Sequence, residues 1–272
     1  MIPIFMYHEI ADVPRNLDPL GLAIPLTQFE QQMSYLSRNA YHCLSLPEVL
    51  RYLQKGDRLP ARSFVITFDD GYQDVYTQAC PILEKYGFTA TIFLVAGGMG
   101  TSSNWWGKAG ERSALLLTWT EARDLAKRGF ILGSHTLNHP RLSTQDDQSA
   151  FEEIRNSKIL LQDRLEMQVD FLSYPYSDTD NRVERLVESA GYLAACAGNS
   201  GPWSIFHLWR VPCLRGDTTQ SFALKASGWY NKRTALREST LGLFLRQNVR
   251  AFRRRVINRH PRHSIVLNHD LD

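Results

Sequence analysis

Short apolar runs recur along this chain at a spacing that leaves room for a helix between one and the next. Seven of them, at 2–7, 64–68, 90–95, 130–133, 170–174, 209–214 and 264–267, are rich in β-branched or apolar residues and read as buried parallel strands. Between most of them apolar residues return with helical period, at 28–38, 73–86, 145–166 and 182–190. Thr27-x-x-Glu30 and Thr118-x-x-Glu121 have the spacing of capping boxes, the second opening a helix that Gly129 closes. Strands that alternate with helices in this way build βα units with right-handed crossovers, and such units assemble into an open doubly wound sheet or a closed barrel. The spacing leaves both open.

A chain of 272 residues accommodates one such domain, 1–272, and leaves too little for a second core. Hydrophobic residues at 43% and charged residues at 22% exclude a disordered or membrane-embedded composition. No apolar run reaches the roughly 18 residues of a membrane span. The start, Met1 to His8, has neither a basic region nor a long apolar one, so cytoplasmic residence is the expectation. The four cysteines lie far apart with no C-x-x-C pair, which removes a zinc knuckle and a dithiol redox motif.

The net charge of +3 points to no nucleic-acid partner, but eight arginines crowd between Arg237 and Arg262. Within that stretch 241–257 reads as an outer helix, with Leu241, Phe244, Leu245, Val249, Phe252 and Val256 on one stripe. Its basic face also suits peripheral contact with an anionic membrane or glycan.

Ile66-Thr67-Phe68-Asp69-Asp70-Gly71 puts two adjacent carboxylates at the C-terminal end of a predicted strand, where βα proteins assemble active sites. One is able to bind a cation while its neighbour acts as a base; equally, one caps the next helix and the other is solvated. Gly133-Ser134-His135-Thr136-Leu137-Asn138-His139-Pro140 follows another strand with two imidazoles four residues apart, which with a carboxylate make a His-His-Asp metal site. Three protein ligands leave a position for water, whose pKa a metal lowers. Phe171-Leu172-Ser173-Tyr174-Pro175-Tyr176 ends a third strand at a proline that leaves the following backbone amides to face a site, or simply to make a turn. Ser264-Ile265-Val266-Leu267-Asn268-His269-Asp270 closes the last strand with a histidine beside an aspartate.

In this order the four segments resemble the polysaccharide deacetylase family (carbohydrate esterase family four, the NodB homology domain). Its pattern is Thr-Phe-Asp-Asp-Gly, then His-Ser/Thr-x-x-His-Pro, a Pro-Tyr segment and a late Leu-x-His. The resemblance runs from Met6-Tyr7-His8 to His269. It implies a distorted (β/α) barrel of about seven parallel strands, with Asp70, His135 and His139 as metal ligands and Asp69 as general base. It further implies His269 as general acid and the Tyr176 backbone N–H in an oxyanion hole. The activity implied is removal of the N-acetyl group from an N-acetylated amino sugar of a glycan or glycoconjugate, with release of acetate. A divalent metal ion would serve it, and this ligand set suits zinc but also cobalt or nickel.

The chain departs from the family pattern in places. The arginine that in many members precedes Pro-Tyr and pairs with the base is absent from 171–174, and Arg210 is the candidate replacement. Ser177 stands where glycine is usual, and Trp203, Trp209 and Trp229 all compete for the tryptophan that walls the acetyl pocket. His8 matches the early Tyr-His and belongs either near the site or in the framework. Two other readings stay open: hydrolysis of a small cyclic or linear amide of the ureide type, and a glycan-binding relative without catalysis, which the filled acid, base and ligand positions disfavour.

Overall fold

The structure is a computed structural model and describes residues 2–103, 105, 113–198 and 200–238. The chain divides into two compact units, Met1–Lys232 and Arg233–Asp272. The first holds the whole described sheet; of the second, only 233–238 is described, and it belongs to the last described helix. The predicted strand at 264–267, the basic helix at 241–257 and His269 lie outside the described residues.

In chain order the elements are β1 (Ile4–Tyr7), α1 (Leu26–Arg38), β2 (His42–Cys43), α2 (Leu46–Lys55), β3 (Ser63–Phe68) and, after a π-helical turn at Val75–Ala79, α3 (Cys80–Lys85). There follow β4 (Thr91–Leu94), α4 (Trp119–Lys127), β5 (Ile131–Ser134), α5 (Asp147–Leu165), β6 (Phe171–Ser173), α6 (Asn181–Ser189) and β7 (Ala194–Ala197). The last are β8 (Leu208–Trp209), β9 (Val211–Pro212), α7 (Thr219–Ala226) and α8 (Trp229–Glu238).

Every pairing between these strands is parallel, in the order β8-β7-β6-β5-β4-β3-β1-β9, with β2 set against the start of β3. β8 and β9 are two halves of one extended segment. Leu208 and Trp209 pair with β7, whereas Val211 and Pro212 pair with β1, so the ring closes through 208–212 and its pairing breaks at Arg210. Counting that segment once gives seven staves, the expected barrel. Among the described staves, β7 is not expected from the sequence, and the expected strand at 264–267 lies outside the described residues.

The strands alternate cleanly. Ile4, Val65, Phe93, Phe171, Ala194, Cys196 and Leu208 form one buried cluster with Leu46, Val49 and Leu50 of α2. Their immediate neighbours Phe5, Ile66, Leu94, Leu172, Ala195 and Ala197 belong to the larger cluster that packs under the surrounding helices. A strand's period of two sends successive residues to opposite faces, so the first set fills the barrel and the second faces the helix layer. Stepping two residues at a time up the same staves from Val65, Phe171 and Leu208 reaches Thr67 and then Asp69, Ser173, and Arg210, all buried. The interior is thus apolar below and polar at the top.

Two start signals behave differently. The Thr118–Glu121 box forms, with Thr118 N–H donating to Glu121 Oε2 at 2.8 Å and Glu121 N–H to Thr118 Oγ1 at 3.2 Å. The Thr27–Glu30 box does not: α1 already begins at Leu26 behind Pro25, whose φ of −54° is preset for a helix start, so Thr27 lies inside the first turn. A reciprocal box at Ser45 and Glu48 opens α2 instead.

Among the described glycines, Gly133 leaves the least room for a side chain. A Cβ there would lie 2.5 Å from Phe93 Cδ1 and 3.0 Å from the Phe171 carbonyl oxygen. Gly133→Ala is therefore expected to destabilise the protein by about 1–3 kcal/mol through overpacking, read as a lower midpoint of thermal unfolding. An unchanged midpoint would show that the Phe93 ring moves aside freely.

Candidate active site

Parallel staves end on one rim, and the segments after β3, β5 and β6 meet there. Asp69 continues the inward face of β3. Arg210, with no exposed surface, meets it from the break in the closing stave: Nη1 donates to Asp69 Oδ1 at 2.6 Å and Nη2 to Oδ2 at 2.7 Å. The remaining donors go to the Ala197 carbonyl at 3.2 Å, Thr67 Oγ1 at 3.2 Å and Ser173 Oγ at 2.8 Å. Burial opposes ionisation of Asp69, but the Arg210 charge and hydrogen bonds outweigh it and hold the carboxyl below its ordinary value. The expected replacement for the missing arginine thus sits against the expected base.

Asp70 turns away from its neighbour. It has a φ of +73°, Gly71 repeats that value, and the two left-handed residues aim adjacent carboxylates in different directions. Asp70 Oδ1 faces His135 Nε2 at 3.3 Å and His139 Nε2 at 3.2 Å. The two histidines come from a strained loop, since Thr136 and His139 also have positive φ, 67° and 61°. Glu153 of α5 secures that loop by accepting the Leu137 and Asn138 N–H groups at 3.1 and 2.8 Å, and Thr136 Oγ1 accepts the His139 N–H at 3.0 Å.

His135 Nδ1 lies 2.8 Å from the Ser173 carbonyl, which only accepts, so that nitrogen carries the hydrogen. In the neutral ring the Nε2 lone pair then points at a carboxylate oxygen, and only a proton or a cation between them relieves the repulsion. Burial lowers the pKa of His135, yet Asp69 and Asp70 raise it further, to above the ordinary value. Burial likewise opposes ionisation of Asp70, and the two imidazoles overcome it, holding that carboxyl well below its usual range. Ligand atoms of Asp70, His135 and His139 all lie within 4.8 Å of one another, a buried one-oxygen, two-nitrogen set that fits a divalent ion.

Above this floor opens a cleft of about 320 Å³ lined by Met6, His8, Leu20, Leu22, Arg141, Tyr176 and Ser177 together with the four site residues. Tyr176 and Ser177 carry positive φ, 59° and 53°, and the Tyr176 ring stands edge-on to His139 at 4.7 Å. His8 lies in the cleft wall. The tryptophan beside the site is Trp105, stacked on His139 at 4.7 Å and 26°. Of the three expected candidates, Trp203 and Trp209 line a different, apolar pocket with Ile2 and Ile4, and Trp229 is exposed in α8.

Comparison with known proteins places this arrangement. The polysaccharide deacetylase family model matches residues 56–195. YxkH of Bacillus subtilis (strain 168) is 30% identical over 225 residues, covering 81% of this chain and 74% of that protein. The chain belongs to the polysaccharide deacetylase family. A poly-beta-1,6-N-acetyl-D-glucosamine N-deacetylase of Staphylococcus aureus (strain MSSA476) is 26% identical over 178 residues, 62% of this chain and 59% of that one. The Streptococcus pyogenes deacetylase PplD, solved in complex with acetate, matches with a TM-score of 0.71 at 26% identity, covering 83% of this chain and 97% of that one. Membership places the chain among the polysaccharide deacetylases, a family whose enzymes depend on a metal and which includes relatives named as N-deacetylases, hydrolases of a carbon–nitrogen bond.

Arg210→Met keeps side-chain volume but leaves Asp69 buried beside no cation, and is expected to cost about 3–5 kcal/mol in denaturant unfolding. Because pairing depresses the folded pKa of Asp69, that stabilisation is complete above the ordinary carboxylate range and is lost as pH falls below it. Adding Asp69→Asn should return part of the loss, and a cycle showing simple additivity would argue against the pair.

Proposed function

We propose that this polysaccharide deacetylase removes acetyl groups from N-acetylglucosamine units of a glycan, with Asp70, His135 and His139 holding a zinc ion. The observation that carries the reading is the juxtaposition of that buried ligand set with the Asp69–Arg210 pair at one rim of the barrel. The Staphylococcus aureus relative, named for poly-beta-1,6-N-acetyl-D-glucosamine, supports the sugar, and the acetate in the Streptococcus pyogenes structure is the product this reaction releases. Cobalt and nickel fit the same donors.

When bound, the ion supplies a Lewis acid that polarises the acetamide carbonyl and acidifies water. The chain supplies the rest. Arg210 keeps Asp69 ionised while occupying only one lone pair on each carboxylate oxygen, so a further lone pair remains to take the proton of the attacking water. The Tyr176 backbone N–H, turned by its left-handed φ, is the donor to the developing oxyanion. His269, assigned from the sequence motif, protonates the departing amine. The Met6, Leu20 and Leu22 side chains make one wall of the cleft apolar beside the acetyl methyl.

The two aspartates separate experimentally. Asp69→Asn is nearly isosteric and should retain near-stoichiometric metal while losing most acetate release. Asp70→Asn removes the anionic ligand and should lose metal, with activity partly restored by excess ion. Metal content measured on both purified variants decides, and retention by Asp70→Asn with loss by Asp69→Asn reverses the assignment. His269→Ala should keep its metal and slow amide turnover about 10²–10⁴-fold, with an activated ester, whose leaving group needs no proton, much less affected. Equal losses on amide and ester would remove the general-acid role.

A further inference from the structure

Arg141 stands at the mouth of the cleft, and no described carboxylate pairs with its charge. It follows His139 and Pro140 in the chain and is exposed, and its guanidinium carbon lies 4.3 Å from the centre of the Tyr176 ring. That ring is the one set edge-on to His139, so a single aromatic side chain separates the guanidinium from a residue of the ligand set. Stacking on the ring limits where the guanidinium can swing. Its backbone is tied as well, because the Arg141 carbonyl accepts from Thr144 N–H at 3.3 Å and Thr144 Oγ1 at 2.8 Å.

The carboxylates around it are engaged elsewhere. Asp69 is matched by Arg210, Asp70 by the two imidazoles, and Asp178, next to Ser177, accepts from Ser143 N–H at 3.0 Å and Ser143 Oγ at 2.7 Å. Among the described residues Arg141 makes no ion pair, whereas Arg210 and Arg215 lie against Asp69 and Asp18. A planar fork of donors, pinned on an aromatic face and paired with no described protein anion, is suited to a phosphate or carboxylate.

We propose that Arg141, stacked on Tyr176, forms a subsite for an oxyanion carried by the substrate next to the N-acetylated sugar. This rests on the deacetylase reading of the adjacent floor. It makes the preferred substrate an acidic glycan or sugar phosphate and a purely neutral polymer the poorer one. A neighbouring unit already deacetylated, and so cationic, is repelled from the same position.

The test compares kcat/KM for acetate release from N-acetylglucosamine 1-phosphate, from N-acetylglucosamine linked to glucuronic acid, and from neutral di-N-acetylchitobiose. Wild type should favour at least one acidic probe by about fivefold, the upper end for an exposed ion pair, and the preference should shrink at high salt. Which acidic probe gains tells phosphate from carboxylate. Arg141→Gln should bring the ratio near one, chiefly through KM and with metal content unchanged, and Arg141→Glu should invert it. Calorimetric binding of the three probes to Asp69→Asn reads the same preference without turnover. A wild-type ratio of one, or a ratio that survives Arg141→Gln in both measurements, overturns the subsite. Absence of acetate from every probe with metal bound instead counts against the deacetylase reading, leaving the binding ratio to judge Arg141.

Discussion

A carboxylate deep inside a barrel is tolerated only with a cation held against it, and here that cation comes from the segment that closes the ring. Asp69 directly follows β3, while Arg210 lies at the break between β8 and β9, where the ring closes. The guanidinium binds both oxygens of Asp69 and spans to Ala197, Thr67 and Ser173 on three different staves. Removing either partner leaves a buried charge that costs several kcal/mol. The polar layer at the top of the interior depends on this pair, and the apolar layer beneath it keeps water from screening it.

Ser173 ties this pair to the ligand cluster. Its hydroxyl accepts from Arg210 while its carbonyl accepts from His135, so a single residue of β6 sets both the orientation of the base's partner and the tautomer of a candidate ligand. Around them the backbone is bent. Eight described non-glycine residues have positive φ, and five of them, Asp70, Thr136, His139, Tyr176 and Ser177, belong to these site loops. Each left-handed residue costs of order 1–3 kcal/mol, which the Glu153 and Thr136 hydrogen bonds help offset for the histidine loop.

The site is legible in the chain where chemistry is local. Asp69 and Asp70 share one strand end, and His135 and His139 share one loop, so each pair is visible in a few letters. Arg210 is reachable only by asking what replaces a missing cation. Trp105 stands in an irregular glycine-rich loop of the kind that covers sites, but nothing near it in sequence marks His139 as its partner. The stave β7 is hidden for a different reason. Ala194, Ala195, Cys196 and Ala197 lack the branched and aromatic side chains that mark a strand, and their strand identity comes from pairing on both sides. The failed Thr27 box shows a local signal overridden by a stronger one, the proline just before it.

The closing segment has a consequence for how the protein comes into being. Synthesis runs from β1 onward, and the edges of β1 and β7 have no partner until 208–212 has been made. Two open parallel edges invite pairing with other chains, and Asp69 has no counter-charge throughout that interval. The residue that ends both exposures is the same one, Arg210. The acidic floor of the cleft therefore takes its final form only when this closing segment docks, and a ribosome-bound fragment ending before Arg210 would carry Asp70, His135 and His139 yet lack a finished site.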